Sequence, residues 1–416
     1  MKIGLAGPIA IGDVERFLSP GQVLSGREMK GSTLLISLIE QLLAMGHEIS
    51  VYSTEQSLEL KEGVVDVLTG PRFRLIRVPL RRSGIRSDRG LRGRILDLFL
   101  FERRALSKVI VEDAPDVVHA HWNYEFSWAA LDSGRPSLVT CHDAPMRILR
   151  LDPSLYRIGR LLMAYKVLKR ATSLTAVSPY LLPELGFFTR KHIEVIPNPI
   201  PKAISEVGGY RKFPERRSGR LRVVMIINGW SVWKNAECGM KALVELKKNI
   251  NDVDLMLIGP DFGPGERAEK WARSVGFENV FLFAGAMRYA EVQSSLSDAD
   301  LLVHPALEES FGMTIAEAMA LGIPVVAGAS SGAVPWVTGG GAAGLLVDIR
   351  SPIEIATAAQ RLLEDNALYA ECSLSGFNRA NEVFSAKAVA DRYLEKYREV
   401  IGIDENKVHA DWVKMC

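Results

Sequence analysis

The stretch EESFGMTIAEAMALGIPVVA, residues 308–327, decides how this chain is read. Ahead of it runs DLLVHP (300–305), a short apolar strand that ends at a proline. Helix formers then fill the interval from Gly312 to Ala320, and Gly322 is placed to stop the helix. IPVVAG (323–328) follows as a second apolar, β-branched strand. Strand, helix and strand of this kind belong to a buried parallel sheet. Two carboxylates, Glu309 and Glu317, bracket the loop and the first turns of the helix. In an open parallel sheet, ligands bind beyond the carboxyl ends of the strands, which is where loop 306–312 falls. The helix start offers free N–H groups and a partial positive charge that suit a phosphate, and Gly312 permits close backbone approach. Carboxylates are unfavourable beside an anion unless hydroxyls donate to them. A sugar linked to a nucleotide supplies both the anion and the hydroxyls. On spacing alone, the pair reads equally as a helix cap and a solvated helix residue.

The same rhythm extends along the chain. Strand candidates are KIGLAG (2–7), EISVYS (48–53), RLIRVPL (74–80), DVVHAH (116–121), SLVTC (137–141), SLTAV (173–177) and IEVIP (193–197). Helical stretches such as 31–46 separate most of them. Residues 198–220 break the pattern with three Pro, three Gly and many charges, as a linker would. A second series then follows: 221–229, 254–259, 279–285, 300–305, 323–328 and 344–348. The expectation is α/β, with two Rossmann-like β/α/β domains facing across a cleft. Their bounds are 1–200, a linker at 201–220, and 221–383. A last helix and tail at 384–416 is expected to cross back to the first domain.

Composition narrows the class. At 416 residues the chain is too long for one ordinary core. Its net charge of +2 argues against a general nucleic-acid binder. Four scattered cysteines form no CxxC pair or His/Cys cluster, so neither a metal site nor a disulfide framework is expected. No run approaches the roughly 20 apolar residues of a membrane span. A cytoplasmic protein is expected, either free or peripheral on the inner face of a membrane.

The chain resembles glycosyltransferase family 4, whose fold is named GT-B. The family carries a Glu, seven residues, Glu motif with an internal Phe-Gly, matched by Glu309, Phe311, Gly312 and Glu317, and then the run through Pro324. PDVVHAHW (115–122), LVTCHD (138–143), TAVSPYL (175–181) and EVIPNP (194–199) look like landmarks of its first half. The resemblance implies a retaining transfer of sugar from a nucleoside-diphosphate sugar, UDP or GDP, to a hydroxyl of a glycan or lipid-linked acceptor. No separate cofactor is implied. Glu309 would hold a donor-sugar hydroxyl and Glu317 the ribose hydroxyls. Phe311, Gly312, Met313 and Thr314 would present backbone N–H groups to sugar and phosphates.

Other positions carry the resemblance less evenly. In INGWSVWKN (227–235), Gly229 ends a strand and Lys234-Asn235 follow, placed for the pyrophosphate. The family's usual Arg after that glycine is replaced here by Trp230. His142, just after a strand, resembles the family's site histidine. His119 and His121 are expected on opposite sides of their strand. The first strand–helix connection is long and lacks GxGxxG, against a dinucleotide dehydrogenase. Gly31 at its end is a candidate for backbone contact with phosphate or acceptor. Finally, eleven Arg lie between positions 72 and 104, with apolar residues interleaved from Ile95 to Phe101. That segment reads either as a basic amphipathic surface for an anionic membrane or as a solvated loop and a core-packed helix.

Overall fold

The computed structural model describes residues 1–22, 33–204, 206 and 220–415, without the side chains of 403–415. Gly31 and most of the expected linker lie outside the described residues. The chain forms two compact units, Met1–Pro199 with Val389–Cys416, and Ile200–Ala388.

The first unit holds an eight-stranded sheet. Its strands are β1 (Lys2–Ala6), β2 (Glu48–Glu55), β3 (Asp66–Gly70), β4 (Phe73–Pro79), β5 (Val117–His121), β6 (Ser137–Cys141), β7 (Ser173–Ala176) and β8 (Ile193–Val195). They lie in the order β3-β4-β2-β1-β5-β6-β7-β8. Every pairing is parallel except β3 with β4. The sequence reading did not expect β3. It is an edge strand with only Leu68 buried, so it lacks the continuous apolar run of its neighbours. Residues 3–5 of β1 and all of β5 are buried, as two-sided helix cover requires. The helix Ala386–Met415 packs on this sheet. Tyr397 Oη lies 2.7 Å from His119 Nδ1, and His119 Nε2 lies 2.6 Å from Thr140 Oγ1.

The second unit holds β9 (Leu221–Ile226), β10 (Val253–Ile258), β11 (Leu282–Gly285), β12 (Leu301–His304), β13 (Val325–Gly328) and β14 (Gly344–Val347). The order is β11-β10-β9-β12-β13-β14, parallel throughout. Strand order therefore reverses between β9 and β12, the place where open α/β sheets leave a crevice. Leu301, Leu302 and Val303 are fully buried, each contributing about 2 kcal/mol and fixing where β12 ends.

In the Arg-rich segment Arg77, Arg81 and Arg103 are buried, whereas Arg72, Arg74, Arg82, Arg86, Arg89, Arg92 and Arg104 are exposed. Arg74, Arg77, Arg81, Arg89 and Arg103 pair with Asp113, with Glu55 and Asp66, with Asp97 and Glu102, with Asp88, and with Asp132. The helix Leu100–Asp113 turns Leu106, Val109 and Ile110 into the core. Its apolar face is thus not available to a membrane. Among the described residues, no helix is long and apolar enough to cross one.

Candidate active site

The loop after β12 is built around one left-handed residue. Gly312 has φ 94°, a conformation that a β-carbon would strain, and the helix Met313–Ala320 starts from it. Phe311 anchors the turn, its buried ring 5.3 Å from that of Phe384 and 6.3 Å from that of Trp336. Behind the loop runs SSGAVPWV (330–337). Ala333 N donates to Glu309 O at 2.8 Å, and a Cβ on Gly332 would stand 2.2 Å from that oxygen. Glu309 is therefore held by its backbone as well as its side chain.

Its carboxylate meets two groups. Lys234 Nζ lies 2.5 Å from Glu309 Oε1, and His304 Nε2 lies 3.3 Å from the same oxygen. Burial disfavours the charge, but the His304 hydrogen bond and the Lys234 ammonium outweigh it and hold the carboxyl at about 2. Glu309 is an anion at any physiological pH. Lys234 reaches it from the short turn Val232–Lys234 that follows β9. Asn235, left-handed at φ 55°, donates its amide to Pro305 O at 3.1 Å and Ile349 O at 2.7 Å. That side chain ties the β9 loop to the β12 loop, so its hydrogens are engaged with the protein. Gly229 ends the β9 segment at φ 84°. The N–H groups of Met313 and Thr314 have no backbone or side-chain acceptor among the described residues. The structure thus gathers Gly229, Lys234, Asn235, Glu309, Phe311, Gly312, Met313 and Thr314 at the reversal between β9 and β12.

Glu317 sits on the same helix, 4% exposed. Tyr289, the first residue of the helix Tyr289–Ser297, donates its hydroxyl to Glu317 Oε1 at 2.5 Å. Burial pushes the Glu317 carboxyl up to about 7, and the tyrosine hydrogen bond only partly offsets this. The two glutamates of one motif therefore carry opposite perturbations, one a fixed anion and the other poised near neutrality. Trp230, in place of the family's arginine, packs 6.0 Å from the Phe262 ring and 6.1 Å from Trp271. The Arg267 guanidinium lies 5.3 Å from its ring centroid.

His142 belongs to the first unit, at the end of β6. Its Nε2 lies 2.9 Å from His121 Nδ1, and its ring centroid 4.4 Å from that of Trp122. Burial lowers its pKa to about 3, so the imidazole is neutral. His142 Nδ1, His121 Nε2 and both amide atoms of Asn123 are buried without a hydrogen-bond partner among the described residues. Beside them, Asp143 accepts from Tyr124 Oη at 2.8 Å. Burial raises its carboxyl to about 6 against the pull of Arg160. The expectation that His119 and His121 face opposite ways is corrected: their ring centroids are 4.0 Å apart. Residues two apart on a strand share a face, and only odd separations oppose.

Sequence reasoning missed His304, Tyr289 and Asn123. A signal existed for His304, the last residue of an otherwise apolar strand at the reversal. None existed for Tyr289, which reaches Glu317 across 28 residues of sequence.

Comparison with known proteins agrees with this geometry. Residues 31–203 match Glycosyltransferase Family 4, and residues 212–379 match Glycosyl transferases group 1. The chain is 28% identical over 193 residues to a Corynebacterium diphtheriae D-inositol 3-phosphate glycosyltransferase, 45% of each chain. That match spans under half the length of the relative. The chain is 23% identical to Bacillus anthracis N-acetyl-alpha-D-glucosaminyl L-malate synthase over 313 residues, 72% of this chain and 79% of the relative. In fold it is similar to sucrose-phosphate synthase from Thermosynechococcus elongatus, with a TM-score of 0.71 and 20% identity over 97% of this chain and all of that one. Two parallel-sheet α/β units with this order are the GT-B architecture. The chain belongs to glycosyltransferase family 4.

Proposed function

We propose that the protein moves a sugar from a nucleoside-diphosphate sugar, UDP- or GDP-linked, to a hydroxyl of a glycan or lipid-linked acceptor, with retention at the sugar carbon. The observation that carries this reading is the Lys234–Glu309–His304 cluster beside the open start of the helix Met313–Ala320. A buried ammonium and unengaged N–H groups suit the diphosphate, and a fixed carboxylate suits a sugar hydroxyl. Glu317 at the same helix accepts from the ribose. In the transfer, the bond from the sugar carbon to the diphosphate oxygen breaks. The acceptor oxygen bonds that carbon on the same face, and the acceptor proton passes to the departing phosphate. Lys234 and the helix start stabilise the charge that grows on the leaving group. On the first unit, neutral His142 and Asn123 carry unpartnered buried polar atoms of the kind that suit a hydroxyl. Assembly of polysaccharide or cell-envelope glycan is the setting that fits such an acceptor.

Trp230 favours a second reading, a family member that binds a nucleotide sugar without turning it over. One screen separates the two. Thermal shift and donor hydrolysis are measured against UDP-, GDP- and ADP-sugars, for the wild type and Lys234→Ala. A donor that stabilises and is hydrolysed by the wild type alone supports transfer. Stabilisation without hydrolysis or acceptor-dependent release supports binding only, and no shift with any donor overturns both.

A further inference from the structure

We propose that the outer side of the helix Leu155–Arg170, with the loop 82–96 packed beside it, is a docking surface for an anionic lipid bilayer. Along this helix Leu155, Ile158 and Leu162 are 66%, 45% and 52% exposed. Their spacing of three and four residues puts them on one side. The inward side is apolar too, formed by Met163, Ala164, Val167 and Leu168. A helix apolar on both sides is at odds with plain solvent exposure. Leu151, from the preceding helix Pro145–Leu151, extends the outer patch at 46% exposure.

The loop continues the same surface. A Cβ on Gly159 would stand 2.4 Å from Ile95, and one on Gly84 3.0 Å from the Tyr156 ring. These contacts seat the loop against the helix and leave the adjacent Ile85 and Leu96 44% and 57% exposed.

Charge decides the occupant. Arg86, Arg92, Arg150 and Lys166 are exposed, and none has a carboxylate partner among the described residues. The acids of these segments, Asp88, Asp97 and Asp152, are each paired with an arginine already, Arg89, Arg81 and Arg157. Exposed aliphatic side chains ringed by unpaired cations match the headgroup zone of an anionic leaflet, where apolar groups enter and phosphates meet the cations. The surface stands on these residues alone and does not depend on the transfer reaction.

The test is sedimentation of the full chain with phosphatidylcholine vesicles, with and without phosphatidylglycerol. The bound fraction is expected to rise with phosphatidylglycerol and fall with added salt. Leu155→Asp/Leu162→Asp is expected to abolish it. Arg150→Glu/Lys166→Glu is expected to lower the partition coefficient by at least about tenfold. Ile353→Asp, equally exposed in the second unit, leaves it unchanged. Circular dichroism checks that each variant is folded. Equal pelleting with neutral and anionic vesicles, or pelleting that survives both double variants, overturns the proposal. So does a concentration-dependent dimer that Leu155→Asp/Leu162→Asp converts to monomer with no vesicle binding, since the face is then a contact between copies.

Discussion

Glu317→Gln is expected to stabilise the protein and weaken donor binding at once. The Glu317 carboxyl rises from 4.5 to about 7 because burial penalises its charge. The folded state therefore keeps a proton that the unfolded state has already released. Whatever stability that proton confers is present below about pH 4.5 and lost as pH rises through about 7. The rise corresponds to about 3 kcal/mol, the cost of ionising Glu317 in place. Glutamine keeps the shape and carries no charge to bury. Below about pH 4 the variant and wild type should unfold together. At about pH 8 the variant should be more stable by up to about 3 kcal/mol, or roughly 6–12 °C in Tm for a unit of this size. Thermal unfolding of both proteins across that range, followed by circular dichroism, measures the gap. The ribose hydroxyls need an ionised acceptor, so donor Kd in the variant should rise by about tenfold or more at the upper end of the range. A gap in Tm that does not change with pH would refute the reasoning, because it would mean that Glu317 ionises at the same pH folded and unfolded.

Three further outcomes follow from particular contacts. Gly332→Ala places a Cβ 2.2 Å from Glu309 O at φ 62°, so it should lower activity at least about tenfold and cost about 2 kcal/mol or more in chemical denaturation. Glu102→Gln leaves Arg81, buried beside it, with Asp97 alone, and should destabilise the chain by about 3 kcal/mol in urea melts. The His142 imidazole, held neutral by burial with a pKa of about 3, should show no titration between about pH 5 and about pH 8 in nitrogen-15 NMR, and a midpoint near 6.5 there would contradict its buried placement.

The parallel strands were legible because a strand covered on both faces must be apolar throughout, and such runs stand out between glycines and charges. Strand β3 was not, since one buried leucine in five residues resembles any loop. The loop–helix motif was legible for a different reason. Gly312 and Gly322 are dictated by backbone geometry, and two acids in an apolar unit have few structural uses. The Arg-rich segment left two readings open because arginine count says nothing of pairing. Its partners Glu55, Asp66, Asp113 and Asp132 lie outside the segment, and only the fold brings them in.

What no reading of spacing reaches is the electrostatic division between the two glutamates. Glu309 and Glu317 look alike in sequence, each an acid at one end of a short helical stretch. The fold gives Glu309 an ammonium from the β9 loop and an imidazole from β12, and gives Glu317 a neutral phenol hydroxyl. Both carboxyls are buried, so desolvation alone would push both up. The His304 hydrogen bond and the Lys234 ammonium separate them, and both meet Glu309 because strand order reverses between β9 and β12. A neutral Lys234 substitution should therefore raise the Glu309 carboxyl toward its partner's range and leave Glu317 where it is. Carbon-13 NMR of the glutamate side chains reads that directly, and a joint shift of both carboxyls would show that the two sites are coupled rather than independently set.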